Sequence, residues 1–279
     1  VETHAPCTGK VKDHAVSVLQ KLSGALQDKA VTSATQWRHG SKAARGALMN
    51  PPASPPTPPV LHVAVTGHRP NRLSAARMAQ MQPKLHQVLG GLANAMRRLH
   101  APAPVDLVLS SALAEGADRQ LATLGLELGY ALHALLPFAP PQYRTRFFGD
   151  AASCAEFDTL LQQAERVDTL PPQPDGDDGS VYARLGHQLL DRADVLLAVW
   201  DGRDAQGLGG TADVVRGALL RQIPVLHLCS RTRRAPMLLW HTERPAAQRP
   251  GPAPCSCPCD SSALEAMLAR KLLRAGGCA

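Results

Sequence analysis

Three short segments of the chain bring glycines, hydroxyls and charged side chains together at spacings that suit a phosphate-bearing ligand. In the first, Val63-Ala-Val65-Thr66-Gly67-His68-Arg69, an apolar run ends in Thr-Gly-His-Arg. Gly67 lets the backbone approach an anion, Thr66 offers a hydroxyl, and Arg69 carries a planar fork of donors that matches a phosphate bidentately. The second, Leu107-Val-Leu109-Ser110-Ser111-Ala-Leu-Ala-Glu115-Gly116-Ala117-Asp118-Arg119, sets two hydroxyls at a strand end and Gly116 at the opening of a helix. Unpaired amides at such an opening favour negative charge. Glu115 can receive ribose hydroxyls or, with Asp118, serve the helix N-terminus, and Arg119 can reach a phosphate or pair with a carboxylate. In the third, Trp200-Asp201-Gly202 closes an apolar run, and Gly207-Leu-Gly209-Gly210-Thr211-Ala212-Asp213 leads into a helix. Its glycines leave the backbone free to turn amides toward one anion, and Thr211 adds a hydroxyl.

Each loop taken alone has a plainer reading, as a turn or a helix cap. The glycine loop lacks the lysine of a P-loop and the spacing of the dinucleotide fingerprint, so neither ATP hydrolysis nor ordinary NAD(P)-dependent dehydrogenation follows, and no cofactor is expected. Three such loops at three strand ends are a stronger signal than one, because all of them would line a single crevice.

The elements that hold the loops are legible as near-continuous apolar runs separated by helical stretches, the pattern of a parallel sheet buried on both faces. Strands are expected at Leu61–Thr66, Val105–Ser110, Ala131–Leu136, Val195–Trp200 and Val225–Leu228. Apolar residues at three- and four-residue spacing place helices at about Ser74–Leu99, Ala117–Gly129, Ala151–Arg166, Val181–Arg192 and Thr211–Arg221. The expected class is α/β: a Rossmann-like, doubly wound, mostly parallel sheet with helices on both faces, over residues 60–230.

Residues 1–59 read as an N-terminal arm, amphipathic around Val11–Leu26, that runs into the proline-rich linker Pro51–Pro59; Met49 is a candidate start. The arm is either a partner-binding helix or a disordered extension. Residues 231–279 read as a basic and proline-rich loop with a final amphipathic helix at Ser261–Arg274. Cys255-Ser-Cys257-Pro-Cys259 and Cys278 lack the two-residue spacing of a zinc knuckle and read as a mobile tail without metal. Asp175-Gly-Asp177-Asp178-Gly179 is part of a calcium-loop pattern without its later bidentate acid, so an exposed loop is expected. Tyr182 and Arg184, just after it, are candidates for base stacking and phosphate.

The chain has 279 residues and a formal net charge of +7, with 4% aromatic residues. That charge suits small anions and nucleic acid alike, but few aromatics are available for bases to stack on, which argues against nucleic acid. No apolar run is long enough for a spanning helix, and seven cysteines are an odd number for a disulfide framework, so a cytoplasmic protein away from the membrane is expected.

Together, Val65-Thr66-Gly67-His68-Arg69, Ser110-Ser111 through Arg119, and Trp200-Asp201-Gly202 with Gly207–Ala212 resemble the SLOG superfamily, the Rossmann-like group that includes the LOG phosphoribohydrolases, the DprA/Smf-type proteins and nucleotide-sensing domains. Leu136-Pro137-Phe138, Tyr143, Phe147 and Glu156-Phe157 look like that group's sensor members. The resemblance implies a nucleotide or nucleotide-derived ligand, such as an ADP-ribose or nucleoside monophosphate species, and a sensing role in bacterial signalling or defence with an effector protein and a possible homodimer. The alternative is an N-glycosidic hydrolase or transferase of the LOG or nucleoside deoxyribosyltransferase type. LOG-type hydrolases carry a catalytic Glu three residues after the loop Thr, where this chain has Val214. Asp213 lies one residue early, rotated by about 100 degrees on a helix, so binding is favoured over hydrolysis.

Overall fold

Runs of Val, Leu and Ala flanked by polar turns have no solvent-facing side, and the chain stacks them edge to edge so that each gains cover on both faces. A computed structural model describes residues 57–147, 151–172, 177–204, 207–241 and 254–276. The strands are β1 (Val60–Gly67), β2 (Asp106–Ser111), β3 (Ala131–Leu136), β4 (Arg166–Thr169), β5 (Val195–Trp200), β6 (Val225–Cys229), β7 (Met237–Trp240) and β8 (Cys255–Pro258). The helices are α1 (Ala75–His100), α2 (Ala117–Glu127), α3 (Pro140–Phe147), α4 (Ala151–Gln163), α5 (Asp178–Leu190), α6 (Thr211–Leu220) and α7 (Ser261–Gly276). All lie within the unit Pro59–Ala279.

One sheet holds the strands in the order β4-β3-β2-β1-β5-β6-β7-β8. The first six run parallel, and β7 and β8 are added antiparallel at one edge. The fold is therefore α/β, Rossmann-like and doubly wound. On one face α1, α2, α4 and α7 bury Leu85, Leu89, Leu92, Leu121, Phe157 and Leu264 against Val63, Val65, Leu109 and Leu197. On the other, α5 and α6 bury Leu185, Leu189, Val215 and Ala218 against Ala64, Leu196, Ala198 and Val225.

Helix α1 opens at Ser74, whose hydroxyl accepts the Arg77 amide, and ends with Arg97, Arg98 and His100 near the carbonyls of its last turn. Helix α7 lies across it. A Cβ on Gly91 would come within 2.9 Å of Leu264 Cδ1, so the absent side chain is what lets the two helices close. Arg98 Nε donates to Glu265 Oε1 at 2.6 Å, and Lys271 Nζ donates to the carbonyls of Ala193 and Asp194 at 3.1 and 2.8 Å.

The five expected strands are present within about a residue at each end. Strands β4, β7 and β8 and helix α3 were not anticipated. Arg166–Thr169 is polar and mostly exposed, an edge strand with no apolar run to announce it. Cys255–Pro258 is the eighth strand rather than a mobile tail, hydrogen-bonded to β7. Asp177 caps α5 through the Ser180 amide at 2.7 Å, while Asp175 and Gly176 lie outside the described residues. So do the amphipathic arm, Pro51–Pro56 and Cys278, and so does the Phe147 side chain. Among the described residues no helix is long and apolar enough to cross a membrane.

Leu89, 0% exposed beneath α1, and Val167, 43% exposed on β4, separate core from edge. Leu89→Ala is expected to cost about 3 kcal/mol in urea unfolding and Val167→Ala under about 0.5 kcal/mol; equal losses would contradict this layering.

Candidate functional site

Strand β1 sits mid-sheet between β2, formed next in the chain, and β5, which lies 132 residues further on by register, Val63 opposite Val195. The crossover helices leave toward opposite faces at this point, and the carboxyl ends of β1 and β5 part into a crevice. A cavity of about 440 Å³ opens there. The β1 end supplies Thr66, Gly67, His68, Arg69, Asn71 and Arg72 to its wall, and the segment after β2 supplies Ala112, Ala114 and Asp118. Tyr143 of α3 and Tyr182, Leu185, Gly186 and Leu189 of α5 form the apolar side. Trp200, the loop 207–210 and Thr211, Ala212 and Val214 at the start of α6 complete it.

The loop after β1 is fixed by its neighbours. The His68 amide donates to Val199 O at 3.0 Å and the Ala117 amide to His68 O at 3.3 Å. A Cβ on Gly67 would meet Ala117 Cβ at 2.4 Å, and Gly116, at φ +92°, would bring one within 2.8 Å of His68 O. Only glycine fits either position. His68 Nε2 stands 3.2 Å from both the Asp201 amide nitrogen and Oδ1, and Arg72 Nη2 donates to Asp201 Oδ2 at 2.8 Å. Burial lowers the His68 pKa despite Asp201 and keeps the ring neutral. Burial draws the Asp201 carboxyl upward, but the Arg203 amide, His68 and Arg72 outweigh it and hold the acid below the usual carboxylate range. Asp201 is thus a clamp between the loops after β1 and β5.

Arg69 lies with its guanidinium carbon 5.3 Å from the centroid of the Tyr182 ring. Tyr182 meets Phe138 edge-on at 6.2 Å, and Tyr143 meets Phe157 at 5.6 Å, which fixes the aromatic side of the cavity. Next to Tyr182, α6 begins at Gly210, whose cap position makes no side-chain hydrogen bond. Gly209, at φ +77°, packs so closely on α5 that a Cβ would lie 2.5 Å from the Tyr182 backbone. Its amide donates to Asp213 Oδ2 at 3.1 Å. Asp213 therefore ties the glycine loop to its own helix and is not part of the cavity wall. Val214 does line it, packed on Gly186, so an apolar surface occupies the position where the LOG-type pattern has its acid.

Asp118 is the buried acid of the cavity. Desolvation pushes its carboxyl up to about 7, against the pull of Arg69, the amides of Ala114 and Gly67, and Arg119. The rest of the second segment faces inward. Ser111 Oγ accepts the Leu113 amide at 3.1 Å and donates to Asp118 O at 3.3 Å. Arg119, 1% exposed, donates to Leu113 O at 3.1 Å, to Ser153 O at 2.9 Å and to Glu156 Oε2 at 2.9 Å. These bonds hold Leu113 at φ +53°, a left-handed conformation that costs about 1 kcal/mol or more. Glu115 accepts the Ser153 hydroxyl. Ser110 lies on the α5/α6 face of β2, but the wall beyond it is made by Ala112 and Ala114. Gly202, at φ +81°, turns the chain after β5 outside the cavity, and Arg184 donates to Pro171 O at 2.5 Å, away from it.

Of the expected positions, Thr66, Gly67, His68, Arg69, Asp118, Trp200, Gly207, Gly209, Gly210 and Thr211 converge on the cavity. Ser110, Ser111, Glu115, Gly116, Arg119, Asp201 and Asp213 stand behind it, and Gly202 lies outside it. Asn71, Arg72, Leu208, Leu185 and Leu189 were not anticipated; the two leucines lie four apart on α5.

No family model and no curated protein matches the sequence. Solved structures similar to the chain include DNA processing protein A from Streptococcus pneumoniae, 16% identical, with a TM-score of 0.41, covering 60% of this chain and 50% of that one. DNA processing protein A from Helicobacter pylori, described by its single-stranded DNA binding mode, is 15% identical with a TM-score of 0.41, covering 62% of this chain and 67% of that one. The Moco carrier protein of Chlamydomonas rheinhardtii is 15% identical with a TM-score of 0.33, covering 62% and 77%.

The folded-state pKa of Asp118 lies above its unfolded value near 3.8, so the native state binds the extra proton. The stabilisation is complete below about pH 4 and is lost as pH rises through about 7. Asp118→Asn, which cannot ionise, is expected to lose less stability than the parent between about pH 4 and pH 8 in urea titrations; parallel profiles would contradict the buried-acid assignment.

Proposed function

We propose that the cavity at the carboxyl ends of β1 and β5 binds a nucleotide or nucleotide-derived ligand. The observation that carries this reading is the convergence, on one cavity of about 440 Å³, of Arg69, the glycine loop 207–210 and the uncapped start of α6 beside an apolar and aromatic wall. A phosphate takes the cationic and amide side, where the helix dipole and the guanidinium add. A base or ribose takes the side of Tyr182, Leu185 and Leu189. The size fits small-molecule sites in general. Sealing by Val214 favours retention of the ligand over cleavage, which suits sensing, with the signal passed to a partner protein.

One observation favours a second reading, an N-glycosidic hydrolase or transferase. Asp118 borders the cavity with a carboxyl raised to about 7, the range in which an acid can hand over a proton at neutral pH. Chromatography separates the two readings: a ligand recovered intact supports binding, and free base with sugar phosphate supports chemistry.

Gly210 has φ −75° and ψ 169°, backbone that any residue adopts, and it occupies the N-cap of α6, where aspartate is among the favoured residues. Gly210→Asp is therefore expected to keep or raise the melting temperature of the unliganded protein while its charge opposes phosphate. Arg69→Ala should lower affinity by at least about tenfold, as expected for a charge-assisted pair. Thermal-shift and calorimetric titrations against nucleoside mono- and diphosphates, ADP-ribose, NAD and cyclic nucleotides check both; unchanged affinity in both variants would overturn the proposal.

A further inference from the structure

A second cavity, of about 280 Å³, lies on the α1 side of the sheet beyond the end of β6. Helix α1 offers it Arg77, Gln80 and Lys84 from one face, and the loop after β6 closes it with Arg233 and Arg234. The lining holds four cations, no acid and no aromatic ring. The elements that build it supply no acid from outside the wall either: α1 has no Asp or Glu in its 26 residues, and none occurs between Val214 and Thr242.

Among the described residues none of the four cations is ion-paired with a carboxylate, and Arg77 and Lys84 are bound to backbone instead. Arg77 Nε donates to Ser230 O at 2.9 Å and its Nη2 to Thr232 O, while Lys84 Nζ donates to Arg233 O at 2.6 Å and Arg234 O at 3.0 Å. These bonds draw the 230–234 loop over α1 and hold two cations in place before any ligand arrives. A carbonyl orients a cation without cancelling its charge, so the positive potential of the cavity stands ready for an anion.

We propose that this cavity is a second anion site, separate from the crevice at β1 and β5, and that it takes an oligophosphate: two or more linked phosphoryl groups carried without a base. One phosphoryl group carries about 1.5 to 2 negative charges near pH 7, so two linked groups balance the four cations where one does not. With no ring in the lining, a base has nothing to stack on, in contrast to the crevice and its Tyr182 wall. Arg77 and Lys84 set the field. Arg233 and Arg234 are exposed residues of the wall, and their long side chains bring planar forks of donors to the phosphoryl oxygens.

The test is a calorimetric titration of the full chain with inorganic diphosphate, with orthophosphate as the single-group control. Because the crevice is also read as a phosphate site, the titrations are run on the parent and on Arg69→Ala/Gly210→Asp, in which the crevice is impaired. In both, diphosphate is expected to bind at least about tenfold more tightly than orthophosphate at low salt and to weaken as salt is raised. Adding Arg233→Gln/Arg234→Gln, two exposed changes that leave the core untouched, should weaken diphosphate at least about tenfold in either chain. ADP should bind the crevice-impaired chain no more tightly than diphosphate does. Diphosphate binding that disappears with the crevice changes, that survives Arg233→Gln/Arg234→Gln in the crevice-impaired chain, or that is no tighter than orthophosphate would overturn the proposal. So would ADP binding the crevice-impaired chain more tightly than diphosphate, since a base would then be recognised.

Discussion

Parallel strands can be joined only by crossovers, and wherever successive crossovers pass to opposite faces the helices part above the strand ends. Here that happens between β1 and β5. Everything that makes the cavity depends on it: the β1 loop and the glycine loop before α6 can face one another only because α1 leaves to one side and α6 to the other. The gap is held at a fixed width by Asp201, whose amide donates to His68 Nε2 and whose carboxylate accepts from Arg72, both on the loop of the far side. Glycines at 67 and 116 let the β1 loop settle directly on the start of α2, so the wall is backbone packed on backbone and has little freedom to shift.

Charge is divided between two tasks. Arg69 faces the cavity, while Arg119, at the opposite end of the same wall, is buried among carbonyls and one half-exposed acid. Burying a guanidinium is costly unless its donors find acceptors, and here Nε donates to Leu113 O and Nη1 to Ser153 and Glu156. In return it fixes the turn after β2 and the approach of α4. Asp213 is used similarly, as a strut inside the glycine loop. The acids and bases of the loops are therefore mostly framework, and few of them face the space where a ligand would lie.

The sequence made the central strands legible because Val195–Trp200 and its neighbours are apolar on both faces, a pattern that no surface element shares. It concealed β4, whose Arg-Val-Asp-Thr has neither continuous nor alternating apolarity, and β8, where cysteines and a proline resemble a tail until β7 pairs with them. In the site, Gly67, Arg69 and Gly209–Thr211 were readable from local chemistry at strand ends. The inward turn of Arg119 and Glu115 was not, because it is set by α4, whose Ser153 and Glu156 are more than thirty residues away along the chain. Leu185 and Leu189 were hidden for a different reason: an apolar pair on α5 looks the same whether it covers a sheet or a cavity.

The central place of β1 also governs how the molecule must come into being. The strand leaves the ribosome long before β5, so its second hydrogen-bonding edge stays open until that strand follows, and Gly67 and His68 have nothing to rest on until Val199 arrives. At about 5–20 residues per second, the interval between Gly67 and the end of β5 lasts roughly seven to twenty-seven seconds. Through that time a nascent chain carries an unpaired apolar edge, and α1 lacks the cover of α7, which is made later still. Such a chain suits the company of a chaperone during synthesis, and its crevice closes only once α6 has been made.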